Sequence, residues 1–241
     1  MAFNFNFISA PFRAPDMRTI VEETEAALPP GAWPAWTGSN HDMFRFPTRW
    51  AEDDPAKVRL ALLMLLSLRG TPVLYQGDEI GMANVAVAHE DMRDPLGVRF
   101  YPYYEGRDAG RTPMQWSAAP GGGFTQATPW LPLGDIAATN VLAQQDDPGS
   151  VLTLCRDLIA FRRHHREFST GDTATLATPA AAWAFTRGPR HVVVLNMSPE
   201  ANVIDGLSGT ISIGTDRARE GETVASDLRL APFEGLILER L

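Results

Sequence analysis

One cysteine, Cys155, occurs in 241 residues. A single thiol excludes an internal disulfide and a cysteine-rich metal site. It reads as a small buried hydrophobe in a reducing, cytoplasmic compartment. Long apolar runs are also missing. The longest, Leu60 to Leu66, is far too short to span a bilayer. The start, Met1 to Ile8, carries no basic segment ahead of an apolar one, so no signal peptide is read there. Positive charge is scarce: 21 Lys and Arg stand against 29 Asp and Glu, a formal net charge of −8. Such a surface repels phosphate backbones and anionic lipid, which argues against nucleic acid and membrane as partners. No Cys/His metal spacing and no Walker-type glycine loop occur, and His89-Glu90 lacks the second His of a zincin. No cofactor and no metal are therefore expected.

What is present is ordinary globular material, 44% hydrophobic and 21% charged, able to bury a sizeable core. Phe3-Asn4-Phe5-Asn6-Phe7 alternates and predicts a strand. Met17 to Leu28 has helical spacing and stops at Pro29-Pro30-Gly31. Trp33 to Trp36 leads into a second strand ending near Ser39-Asn40. Asp54 and Pro55 are a good N-cap and first residue for a helix that runs to Arg69, apolar nearly all round. Pro72 to Gln76 is a third, buried strand.

From Gly77 to about Asp146 a long stretch is rich in Gly, Pro and aromatics, and loops of that length are usually functional. Asp147-Pro148 repeats the cap-then-proline start ahead of a helix that ends in Arg162-Arg163-His164-His165-Arg166, where basic residues suit the macrodipole. After about Gly171, short runs at Trp183–Phe185, His191–Leu195, Thr210–Ile213 and Gly235–Leu238 predict an antiparallel β domain. The expected division is 1–170 and 171–241. Alternating β and α in the first part implies a parallel sheet under helices. Three strands alone would leave its edges open, so the chain reads as a piece of something larger that would associate or aggregate by itself.

Ligands of α/β folds meet the C-terminal ends of strands. Three segments qualify. In Gly38-Ser39-Asn40-His41-Asp42, a His and a carboxylate can share a pocket, with Arg45 placed to hold a carboxylate ionised. A polar turn with a helix cap would leave the same trace. In Tyr75-Gln76-Gly77-Asp78-Glu79, the acids read as backbone-bonding turn residues. In Gly106-Arg107-Asp108-Ala109-Gly110-Arg111 through Trp116, planar donors and an aromatic suit a sugar ring, or else an Arg–Asp pair pins the loop.

Taken in order, these segments resemble the α-amylase superfamily, glycoside hydrolase family 13. Asn40-His41-Asp42 is similar to its fourth conserved region and Gly70 to Met82 to its strand-eight region. Gly106 to Trp116, Gly123-Phe124-Thr125 and Pro129-Trp130-Leu131-Pro132 resemble its α-glucosidase and oligo-1,6-glucosidase branch. The helix Ser150 to Arg163 and the tail Ala231 to Gly235 fit as well. The resemblance implies an α/β fold: strands six to eight of a (β/α)8 TIM barrel, followed by a small antiparallel β-sandwich domain. It implies Asp42 as the carboxylate that stabilises the transition state and His41 as a donor to the same sugar. Arg107, Asn40, Arg45 and Arg111 are the implied substrate-binding residues, and an oligosaccharide is the implied substrate. The family's nucleophilic Asp and general-acid Glu stand at the ends of strands four and five, upstream of Met1. This polypeptide is thus expected to be inactive alone and to take as partner the missing N-terminal half of the barrel. A fragment of a trehalose synthase or sucrose isomerase-type transglucosylase is an alternative. So is a non-catalytic barrel relative acting as a scaffold, although such relatives tend to lose the equivalents of His41 and Asp42.

Overall fold

The structure, a computed structural model, describes residues 4–240. It opens on helix α1 (Phe5–Ser9), where alternation predicts a strand; Phe3 lies outside the described residues. Asn4 explains the difference. Its Oδ1 accepts the Phe7 N–H at 3.0 Å, an N-cap that starts a helical turn. Phe7 is fully buried while Phe5 is 56% exposed, so the two rings do not share a face as a strand would require. Helix α2 (Ala14–Ala27) begins at Ala14 rather than Met17, with Pro15 in its first turn, and buries Met17 and Val21.

Strands β1 (Ala35–Thr37) and β2 (Thr71–Val73) pair in parallel, Trp36 opposite Pro72. Helices α3 (Phe46–Arg49) and α4 (Pro55–Ser67) cross between them. Asp54 caps α4 through the Ala56 N–H at 2.8 Å, as its position predicts. Three parallel strands are expected and two form, so this sheet has two unpaired outer edges among the described residues.

Helices α5 (Pro95–Phe100) and α6 (Val141–Gln144) lie within the long loop. Helix α7 (Val151–His164) is capped by Ser150, whose Oγ accepts the Thr153 N–H at 3.1 Å. Asp147, the expected cap, instead accepts the Gly149 N–H at 2.8 Å in the preceding turn. A short α8 (Glu167–Thr170) follows. Strands β3 (Thr175–Leu176), β4 (Ala182–Arg187), β5 (His191–Asn196), β6 (Asn202–Asp205), β7 (Gly209–Gly214), β8 (Thr223–Val224), β9 (Asp227–Leu230) and β10 (Gly235–Glu239) complete the chain. Six form one antiparallel sheet in the order β3-β4-β5-β10-β7-β8, and β6 pairs with β9 in a second.

The larger sheet is buried on both faces. Val193, Leu195, Trp183 and Ile237 join a core with α4 and α7. Val192, Val194, Ala184 and Leu236 face the other way, onto Ile204 and Leu228 of the small sheet. Helix α4 is apolar all round only from Leu60 on, the stretch buried under α7, β5 and β10. Gly235 admits the close approach: a Cβ there would stand 2.7 Å from Leu60 Cδ1. The open carbonyls after α4 are closed by a charge from α7. Arg162 Nη1 donates to Leu66 O at 3.0 Å and Leu68 O at 2.8 Å, and its Nη2 donates to Gly70 O. A cation suits a helix C-terminus, and burial pulls this guanidinium down to about 10. Cys155 is buried in the same core, and burial pushes its thiol up to about 12. Among the described residues no helix is long and apolar enough to cross a membrane.

Candidate functional site

The turn after β1 is built by its polar residues. Asn40 is buried, and its Oδ1 accepts the N–H groups of Asp42 at 2.8 Å and Met43 at 3.0 Å. That turn leaves the side chains of His41 and Asp42 70% and 45% exposed. Ser39 anchors the turn from below. Its Oγ donates to Asp78 Oδ1 at 2.7 Å and accepts the Phe46 N–H at 2.8 Å. Asp78 Oδ2 accepts the Tyr75 N–H at 2.9 Å. The loop after β2 is thereby tied to the end of β1. Asp78 is fully buried, and burial raises its carboxyl from 3.8 to about 7, above what the bonds from Ser39 and Tyr75 can offset. Glu79 Oε2 accepts the Gly77 N–H at 2.8 Å. Both acids are turn residues, as their spacing predicts.

The long loop brings two guanidinium groups to Asp42. Arg107 Nη1 donates to its Oδ1 at 2.7 Å, and Arg111 Nη2 approaches the same oxygen at 3.4 Å. Arg111 Nε also donates to His41 O at 2.8 Å. On the other side of Asp42, His41 Nε2 lies 3.3 Å from Oδ2. One carboxylate oxygen is thus held by cations, and the other faces the open side beside an imidazole.

Arg107 is itself held. Asp94 takes its Nε at 2.8 Å and Nη2 at 2.9 Å, a bidentate fork, and its backbone N–H at 3.0 Å. That guanidinium holds the Asp94 carboxyl well below the usual carboxylate range, and Asp94 with Asp42 pushes Arg107 above its ordinary value. Asp108 supports the arrangement by accepting the N–H groups of Arg93 at 2.6 Å and Asp94 at 2.7 Å. Gly106 has a φ of +74° and lies against Gly97, where a Cβ would stand 2.9 Å from the Gly97 Cα.

Asp42, His41, Arg107 and Arg111 therefore converge, and Asn40 shapes the turn beneath them. Arg45 does not join them. Its side chain is fully buried. It donates to Thr112 Oγ1 at 3.1 Å, Thr112 O at 3.0 Å and Ala109 O at 3.2 Å, so it faces the loop interior and holds the loop rather than the open cleft. Asp94 is the member of this cluster that sequence reasoning misses. Asp94-Pro95 has the same cap-then-proline pattern as Asp54-Pro55, and it does cap α5. Beside Arg111 runs a groove of about 410 Å3 lined by Tyr75, Thr112, Met114, Phe124 and Trp130. Phe124 and Trp130 are each 51% exposed. A carboxylate, two planar donors and exposed aromatic faces are the groups that bind a polyhydroxylated ring.

Residues 2–171 match the family profile described as Alpha amylase, catalytic domain. The chain is 39% identical over 210 residues to the "Probable alpha-glucosidase" of Rhizobium meliloti (strain 1021), covering 83% of this chain and 38% of that protein. It is 33% identical over 177 residues to the oligo-1,6-glucosidase of Parageobacillus thermoglucosidasius, covering 64% and 32%. Among solved structures, the alpha-glucosyl transfer enzyme XgtA superposes with a TM-score of 0.88 at 35% identity over 100% of this chain and 46% of its own. The trehalulose synthase MutB of Pseudomonas mesoacidophila MX-45 gives 0.84 at 25% identity over 94% and 46%. The chain thus spans less than half the length of each of these relatives.

Proposed function

This chain belongs to the alpha-amylase family, and from that premise we propose that it is the part of an α-glucosidase-type enzyme that binds and polarises the sugar being cleaved. In this reading residues 1–170 are the strand-six-to-eight portion of a (β/α)8 barrel and residues 171–241 its C-terminal antiparallel domain. The reaction is retaining hydrolysis of terminal α-glucosidic bonds in oligosaccharides. The observation that carries the reading is Asp42, with Oδ1 gripped by Arg107 and Arg111 and Oδ2 open beside His41.

The chemistry follows from that geometry. Oδ2 accepts hydrogen bonds from sugar hydroxyls. Those bonds strengthen as the ring gains positive charge on the way to an oxocarbenium ion, so they favour the transition state over the bound substrate. The two arginines keep the carboxylate in place, and the Asp94 fork keeps Arg107 from following the ligand. Asp42 alone is neither a nucleophile with a general acid opposite it nor the reverse. A retaining glycosidase needs both, and here they belong to barrel strands four and five. By itself the 241-residue chain then turns nothing over.

The test is an aryl α-glucoside assay on the purified chain, alone and mixed with a polypeptide carrying strands one to five of a similar α-glucosidase. Turnover restored by mixing and lost again with Asp42→Asn supports the reading. Turnover by the chain alone overturns it. The structural likeness to a glucosyl transfer enzyme favours a second reading, in which a sugar hydroxyl replaces water as acceptor. Product analysis separates them: free glucose for hydrolysis, a new disaccharide for transfer.

A further inference from the structure

Two side chains close in sequence and a third from a later strand meet where α7 ends and β5 begins. His165 closes α7, Glu167 opens α8 and His191 opens β5. One ligand-capable atom from each lies within 4.8 Å of the other two. Glu167 Oε1 stands 3.0 Å from His191 Nδ1 and 3.8 Å from His165 Nδ1. His191 is fully buried, and neither ring nitrogen has a hydrogen-bond partner; the Glu167 contact lacks hydrogen-bond geometry. A buried imidazole left so is unusual and calls for an explanation such as a bound ion.

The surroundings suit one. Phe161 lies 4.1 Å from the His165 ring and 5.3 Å from the His191 ring, and Phe168 lies 5.4 Å from the latter, centroid to centroid. These walls fix both imidazoles in a poorly solvated corner. Glu239 stands opposite His191 in the strand register and adds a second negative charge nearby, itself paired with Arg190. Arg187, also opposite His191, opposes a cation, although its own Nη2 is engaged with the Glu167 carbonyl. His165 and Glu167 keep 26% and 23% of their side chains exposed, which leaves an entry path.

The geometry points to a transition-metal site of the Zn2+ class built from His165, Glu167 and His191. Two imidazoles and a carboxylate are a donor set that borderline cations such as Zn2+ prefer. Ligand separations of 3.0 and 3.8 Å bracket the roughly 3.4 Å expected between donors at about 2.1 Å from a tetrahedral metal. The ion stitches the α7–α8 corner to β5. It shares no residue with Asp42 and its partners, so it is a structural clamp rather than part of the proposed sugar site.

The experiment is titration of the 241-residue chain with Zn2+ by calorimetry and with Co2+ by visible absorption. One equivalent is expected, with the absorption bands of four- or five-coordinate Co2+ and a Tm that rises until that equivalent is reached. His165→Gln and Glu167→Gln each weaken binding about tenfold or more. His164→Gln leaves it unchanged, because His164 bonds its own helix at Ala160 O. The two ligand positions are partly exposed, so their variants are expected to fold, and far-UV circular dichroism checks that they do. Absence of stoichiometric binding overturns the inference, as does affinity that survives both ligand variants or falls equally with His164→Gln.

Discussion

Asp78→Asn exchanges a fully buried carboxyl for an amide of nearly the same shape. The amide keeps both contacts: its oxygen accepts the Tyr75 N–H and its nitrogen donates to Ser39 Oγ, reversing the bond in which Ser39 donates to Asp78, at a cost that does not change with pH. Packing is therefore preserved and only the titration is removed. In the wild type, burial raises the carboxyl from 3.8 to about 7. The native state then holds a proton that the unfolded chain gives up between those two values. Native stability falls as pH rises through that window and is level above it. At ~1.4 kcal/mol per pH unit, the ionised carboxyl costs roughly 4 kcal/mol in full, of which about 3 kcal/mol develops between pH 5 and pH 8. The amide variant carries no such dependence. Unfolding followed by far-UV circular dichroism at pH 5 and pH 8, on both proteins in the same buffers, cancels every other titrating group. The variant should gain on the wild type by about 3 kcal/mol from the lower to the higher pH. An unchanged difference between the two proteins at both pH values would refute the reasoning, because it would mean that Asp78 is not titrating in the fold.

Arg162→Met keeps the buried stem but leaves the carbonyls of Leu66, Leu68 and Gly70 without their donor; a loss of about 3 kcal/mol in denaturant unfolding is expected, and a loss under ~0.5 kcal/mol would contradict the bracket. Arg45→Met frees the loop that Arg45 ties through Thr112 and Ala109; limited proteolysis should cut between 77 and 146 sooner than in the wild type, and an unchanged pattern would show that other contacts suffice. Cys155, buried with its thiol pushed up to about 12, should resist a disulfide reagent at pH 8 until the chain unfolds, so prompt labelling of native protein would place the thiol elsewhere.

Most of what carries the fold is legible as local chemistry. The Asp54-Pro55 start of α4, the Pro72 strand and the apolar runs of β4, β5, β7 and β10 each announce themselves through a cap, a proline or a period. Strands β6, β8 and β9 do not, being two to four residues long and defined by what lies beside them. Helix α1 is misread because one side-chain cap outweighs five residues of alternation. The same division holds at the site. Gly38 to Asp42 reads as a turn that presents a His and an acid. The direction of Arg45 is set by carbonyls up to 67 residues away. Asp94 looks only like a helix cap, and its grip on Arg107 closes a loop of 13 residues that no spacing rule encodes. The basic end of α7 reads as compensation for a helix dipole. Only folding brings His191 to it, and gives His165 and Glu167 a third companion.

The core that α4 shares with both of its neighbours makes the change of texture near residue 170 something other than a hinge. Leu60 and Leu63 on one side of it and Leu195 and Ile237 on the other belong to a single interior. A protease or a gene fusion that separated the two stretches would not release two modules. It would turn that interior into surface on both products. Whatever the first 170 residues do, the strands that follow are their other wall, and the two have to melt, travel and be inherited as one object.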